Sequence, residues 1–232
     1  MTDHSDKSEN TIDFSMLLAS SVHDIKNSLG MLMNSLDEMT ADTDHGDEQR
    51  NSFSILRGEA SRINNAMIHL LSLYRLQNDQ LSLGLSEVFV EDFLEEQVLS
   101  QQLLFEVKGV SINIECNSDI SAYFDENLIA GVINNILVNC AKYTQDKITI
   151  TAQKTTDHYL EIAIIDNGRG YPQNIIDNIS NFGRSVDFNS GSTNLGLFFS
   201  QEIAKLHTNK DRTGSIHISN IEEGGCFKLL IP

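Results

Sequence analysis

The eleven residues Asn134-Asn135-Ile136-Leu137-Val138-Asn139-Cys140-Ala141-Lys142-Tyr143-Thr144 decide how this chain is read. Wound as a helix, they line up Asn135, Asn139, Lys142 and Tyr143 on one side, while Val132, Ile133, Ile136, Leu137 and Cys140 take the other. Asparagine is a poor helix former, so three of them within six positions answer to something other than packing. An amide oxygen is a hard ligand suited to Mg2+, and Lys142 offers phosphate a compact positive charge. One face of this helix therefore reads as core and the other as a ligand surface.

Outward from it, short β-rich runs alternate with helical ones. Val88-Phe89-Val90 reads as a strand, residues 91–108 as a helix, 111–116 as an alternating strand and 125–142 as the helix just described. Residues 147–154 and 159–166 are β-branched runs with a short polar connection, which predicts a hairpin. Residues 195–206 predict a helix, and 215–220 with 226–231 a final strand pair around Glu222-Glu223-Gly224-Gly225. Antiparallel hairpins mixed with helices predict an α/β sandwich of one sheet and one helical layer.

Toward the N-terminus the period changes. Phe14, Leu18, Val22, Ile25, Leu29, Leu32, Leu36 and Met39 follow the three-and-four spacing of one helix stripe. After the charged stretch 41–48, Phe53, Leu56, Ala60, Ile63, Met67, Leu70 and Tyr74 resume it, so two long helices form an antiparallel hairpin. A lone hairpin covers one side of each helix, and a second copy completing a four-helix bundle covers the other. The expected fold is thus α+β: a polar tail at 1–11, a dimeric helical hairpin at 12–78, a junction at 79–86 and the sandwich domain at 87–232.

Charge narrows the function classes. With 33 acidic against 16 basic residues in 232, the net charge is −17, which disfavours nucleic-acid and anionic-membrane partners. No segment has the ~18 apolar residues needed to span a bilayer, and no apolar leader is visible, so a cytoplasmic location without membrane insertion is expected. Cys116, Cys140 and Cys226 lie apart in apolar runs and read as reduced core thiols.

Three further segments carry candidate chemistry. In His23-Asp24-Ile25-Lys26-Asn27, His23 falls off the apolar stripe, where a neutral imidazole is a nucleophile toward phosphorus. Asn27 follows at i+4, placed to orient a water beside the ring. Ile164-Ile165-Asp166-Asn167-Gly168-Arg169-Gly170 ends a β-run in Asp-x-Gly-x-Gly, where a strand-end carboxylate can accept from an exocyclic amine and Gly168 and Gly170 let backbone approach a ring. Gly191-Ser192-Thr193-Asn194-Leu195-Gly196-Leu197 opens a helix whose N–H groups suit phosphate.

In this order and at these distances, the motifs resemble the catalytic half of a two-component sensor histidine kinase, over about residues 12–232. Gly224-Gly225-Cys226-Phe227 and the terminal Leu229-Leu230-Ile231-Pro232 belong to the same resemblance. It implies a dimerisation and histidine-phosphotransfer hairpin followed by a Bergerat-type ATP-binding domain. His23 would accept the phosphoryl group, Asp24 would polarise it, and Asn27 would orient water for dephosphorylating a partner. Asn139 would ligate Mg2+. Asn135, Lys142 and Tyr143 would contact ATP, Asp166 with Gly168 and Gly170 would recognise adenine, and Gly191, Leu195, Gly196 and Leu197 would close the phosphate end. Residues 180–194 correspond to a lid, with Phe182 as its aromatic anchor. The implied partners are a response-regulator receiver domain, a second copy and a separate sensor or regulatory protein, since no sensor domain precedes the first helix.

The chain departs from that pattern at two places. Ser192 and Asn194 stand where the family has glycines, and residues 205–213 insert a polar, basic stretch where it has a tight His-Gly-Gly turn. Added Cβ atoms restrict φ, so the alternative is a degenerate kinase acting as a response-regulator phosphatase or a phosphotransfer or sequestering scaffold.

Overall fold

The computed structural model describes residues 82–178 and 192–232, together with helical positions 25, 29–32, 56, 60, 63, 67 and 68; the side chains of 178 and 192–195 are outside the description. The chain divides into two compact units, Met1–Tyr74 and Arg75–Pro232. In the first, Ala60 is buried, while Ile25, Met31, Leu32, Leu56 and Ile63 leave between 46% and 64% of their surface exposed.

The second unit runs β1 (Leu85–Phe89), α1 (Val90–Ser100), α2 (Gln102–Lys108), β2 (Ser111–Cys116), β3 (Ser121–Asp125), α3 (Glu126–Tyr143), β4 (Lys147–Lys154), β5 (Leu160–Asp166), α4 (Gln173–Asn178), α5 (Ser192–Leu206), β6 (Thr208–Asn209), β7 (Arg212–Thr213), β8 (Ser215–Ile221) and β9 (Gly224–Ile231). Five strands form the main sheet in the order β2-β4-β5-β9-β8. Only the β2–β4 pair is parallel; the remaining three pairs are antiparallel.

Register explains the sandwich. The partners Ile150 and Ile164, Ile162 and Leu229, Ile164 and Phe227, and Ile218 and Phe227 put one continuous apolar face across the strands. Onto it pack Val90, Phe93 and Leu94 of α1, Ile129, Val132, Ile133, Ile136 and Leu137 of α3, and Leu197, Phe199, Ile203 and Ala204 of α5, all nearly inaccessible to water. Each of these side chains other than Ala204 contributes about 1.5–3 kcal/mol relative to exposure. Phe93 meets Phe124 edge to face with ring centroids 5.3 Å apart.

Several expectations are corrected. The helix expected at 91–108 is two helices, because Gln101 leaves helical geometry at φ −108° and ψ 8° and serves both ends. A strand, β3, pairs antiparallel with β1 in a separate ribbon, and the short helix α4 follows Pro172; neither was expected. Cys140 and Cys226 are buried, but Cys116, ending the edge strand β2, is only partly so.

The inserted stretch has become a strut. Thr208–Asn209 pairs with Arg212–Thr213 through a turn in which Lys210 takes φ 56°. Arg212 then donates to the carbonyls of Asp157 and His158, both at 2.9 Å, and sits 5.6 Å from the Tyr159 ring centroid. His207, 2% exposed, has Nδ1 at 2.9 Å from the Ile203 carbonyl, and its Nε2 accepts the Asp125 backbone N–H at 3.1 Å. A ring that accepts at Nε2 must be neutral with its proton on Nδ1. Burial holds its pKa below the ordinary value, against the opposing pull of the Ile203 carbonyl and Asp125. The folded pKa being depressed, this contribution is intact above the free-imidazole value near 6.5 and is lost as the pH falls below it. In urea titrations, wild type is expected to exceed His207→Gln by about 1–2 kcal/mol at about pH 7, with the gap closing toward about pH 5.

Candidate functional site

The site is built where α3 ends against β5. Asp125 caps α3, its carboxylate accepting from the Leu128 N–H at 3.0 Å and the Gly84 N–H at 2.8 Å. The helix runs to Tyr143, with Asn135, Asn139 and Tyr143 half-buried and Lys142 exposed. The three asparagines have different jobs. Asn134 donates to Gln97 Oε1 at 2.8 Å and accepts from Gln101 and Ser100 at 3.4 Å, which ties α3 to α1. Asn135 lies 3.5 Å from Ser200 Oγ, and its amide occupies the space a Cβ on Gly196 would fill, so it seats α5 on α3. Contacts with neighbouring helices therefore engage two of the three. Asn139 makes no side-chain hydrogen bond to a described residue.

Asp166 ends β5 opposite Ile148, on the apolar face of the sheet, and is 8% exposed. Its Oδ1 accepts the Gly168 N–H at 2.8 Å; Oδ2 has the Cys140 thiol at 3.9 Å. Burial first, then the neighbouring Asp166 carboxylate, holds the Cys140 thiol far above the usual range, so it stays a neutral donor. The glycines make this crowding possible. A Cβ on Gly168 would strike the Tyr143 carbonyl, one on Gly224 the Asp166 carbonyl, and one on Gly225 would lie 2.7 Å from Asp166 Oδ2.

Two residues of the same motif carry unanticipated contacts. Asn167 Oδ1 gathers the Thr144 hydroxyl and the backbone N–H groups of Gln145, Asp146 and Lys147 at 2.8–3.2 Å, while its Nδ2 donates to Asp146 at 2.7 Å. Arg169 brings a second cation beside Lys142: its Cζ is 4.7 Å, and Lys142 Nζ 5.3 Å, from the Tyr143 ring centroid. The sequence held a signal for both in their places between Asp166 and Gly170, but their partners are not adjacent in the chain.

At the far side, Gly196 and Leu197 are buried in α5, and Leu195 lies in its first turns. Ser192 and Asn194 are also helical there, which removes the φ objection raised by the missing glycines. His23, Asp24, Asn27, Gly191 and Phe182 lie outside the described residues, as does most of the expected lid.

Residues 124–232 match the family model described as histidine kinase-, DNA gyrase B-, and HSP90-like ATPase. The adaptive-response sensory kinase SasA of Gloeothece citriformis is 30% identical over 178 residues, covering 74% of this chain and 44% of that protein. SasA of Crocosphaera subtropica is 26% identical over 186 residues, covering 78% and 47%. Full-length ShkA, solved in complex with AMPPNP, superposes with a TM-score of 0.66 at 19% identity, covering 94% of this chain and 46% of that one. Residues 124–232 thus resemble the Mg-ATP-binding ATPase domain of histidine kinases, and the chain as a whole is similar to the catalytic part of such kinases. It spans less than half the length of these SasA relatives.

The residues fit that ligand. A buried carboxylate with one oxygen offered only a weak thiol contact among the described residues can accept from an amino group. Asn139 would offer a neutral oxygen to Mg2+, and Lys142 and Arg169 would supply positive charge in an acidic chain. Among the described residues no helix is long and apolar enough to cross a membrane. Replacing Gly168 with Ala is expected to cost about 1–3 kcal/mol in a denaturation experiment, because the obstacle is backbone.

Proposed function

We propose that this chain is a homodimeric histidine kinase that phosphorylates His23 from Mg-ATP and passes the group to an aspartate on a response-regulator receiver domain. The observation that carries this reading is the buried Asp166 carboxylate, fixed by Gly168 beside the end of α3. Asp166 accepts from the adenine amino group, and Gly168 and Gly170 allow the base to approach backbone. Asn139 supplies an oxygen to Mg2+. Lys142 neutralises phosphate charge, Tyr143 and Asn135 complete the α3 side, and Gly191 with Leu195, Gly196 and Leu197 borders the phosphates. ATP supplies the transferred phosphoryl: the His23 imidazole nitrogen bonds to the γ-phosphorus as the β–γ bridging bond breaks, with Asp24 polarising the ring.

The hairpin at 12–78 serves as dimerisation and phosphotransfer element, with 79–86 as the junction to 87–232. Its support lies in the first unit, where Ile25, Leu32, Leu56 and Ile63 of the two stripes stay about half exposed in a single copy. A second copy covers such surface at a gain of roughly 25 cal/mol per Å2. Asn27, one turn beyond His23, orients water for hydrolysis of the phosphorylated receiver.

Incubation with γ-labelled ATP and Mg2+ is expected to give acid-labile, alkali-stable label on wild type and none on His23→Ala or Asn139→Ala. No label, with nucleotide binding also missing, would transfer the reading to a phosphatase or scaffold. Asn27→Ala is expected to keep autophosphorylation while losing receiver dephosphorylation; equal loss of both would remove that division of roles.

A further inference from the structure

The loop that follows Asp166 is pinned from two directions, and one of the pins comes from far along the chain. Asn220 lies on β8, 49 residues beyond Tyr171. The Tyr171 N–H donates to Asn220 Oδ1 at 2.7 Å, and Asn220 Nδ2 donates to the Tyr171 carbonyl at 2.9 Å. A side-chain amide carries the same donor and acceptor as a peptide, so this pair is a rung of β-pairing made by a side chain. Gly170 permits it: it takes φ +72°, and a Cβ there would strike the Asn220 amide.

What Tyr171 does with its ring connects this rung to the carboxylate. Gly225 sits between them, since a Cβ on it would lie 2.7 Å from Asp166 Oδ2 and 3.2 Å from Tyr171 Cε2. The ring therefore walls the side of Asp166 that Oδ2 faces. Burial, with Cys140, Asp166 and Cys226 nearby, also keeps the phenol protonated well above its ordinary range. Asn167 fixes the other end of the loop to the turn after α3.

We propose that Asn220 is a positioning residue for base recognition: by pairing with Tyr171 it sets the wall that aims the Asp166 carboxylate at an exocyclic amino group. This rests on the reading that a nucleotide binds at Asp166. A carboxylate held to accept from an amine penalises a base with a keto oxygen at that place, because two acceptors would then face each other. Loosening the wall relaxes the penalty, so Asn220 governs the preference for an amino over a keto purine more than affinity for phosphate.

The test is equilibrium binding of ATP and ITP, each with Mg2+, to the full chain as wild type, Asn220→Ala and Asn220→Asp, with thermal midpoints measured alongside. Wild type is expected to prefer ATP by at least about tenfold. Asn220→Ala is expected to reduce that preference about three- to tenfold, chiefly by weakening ATP. Asn220→Asp keeps the acceptor for the Tyr171 N–H and loses the donor, so it falls between. An unchanged ATP-to-ITP ratio in the alanine variant, whatever its midpoint, overturns the proposal and leaves Asn220 a stability residue. If the alanine variant does not fold, the aspartate variant decides on the same ratio. Wild type that binds both alike overturns this inference and leaves nucleotide binding standing, whereas wild type that binds neither overturns the nucleotide reading and this inference with it.

Discussion

A carboxylate on the apolar face of a sheet has to be solvated by the protein, and much of this domain is arranged around that requirement at Asp166. Leaving a polar group there without partners costs several kcal/mol. The Gly168 N–H meets one oxygen and the Cys140 thiol stands near the other. For these to reach it, Gly168, Gly224 and Gly225 must lack side chains, and the Tyr143 carbonyl must end α3 against the loop. Strand register is bound to the same point, because a slip of one residue would turn Asp166 to the opposite face and bring Ile165 inward. The fold and the site are thus one constraint seen at two scales.

Much of this was legible in the sequence. The two-faced composition of α3, the alternation in β2 and β4, and the Asp-x-Gly-x-Gly ending of β5 are local patterns, and local patterns survive folding. The break at Gln101 was hidden because Leu99, Leu103 and Val107 continue a helical spacing across it, although all three are exposed. β3 is five residues long and exists by pairing with β1, which a reading of neighbours cannot see. The helix-to-helix contacts of Asn134 and Asn135 were hidden because their partners, Gln97 and Ser200, lie 37 and 65 positions away. Asn220 was invisible for the same reason.

The two departures from the family pattern have turned out to be structural. The polar insertion after α5 binds the β4–β5 turn through Arg212 and joins α5 to the cap of α3 through His207. The residues replacing the glycines are absorbed into the first turn of α5, where side chains are ordinary.

Asn167 and Gly168 form the dipeptide in which an asparagine amide is most easily attacked by the next backbone nitrogen, a reaction that ages proteins by converting the amide to a carboxylate. Here the amide is engaged by Thr144, Gln145, Asp146 and Lys147, and the Gly168 N–H is committed to Asp166. The attacking nitrogen and its target are each held by other partners. The loop after Asp166 therefore preserves its own chemistry: while folded it is shielded, and each excursion from the fold exposes it to irreversible decay. Its lifetime as an intact site is set by how seldom those contacts open.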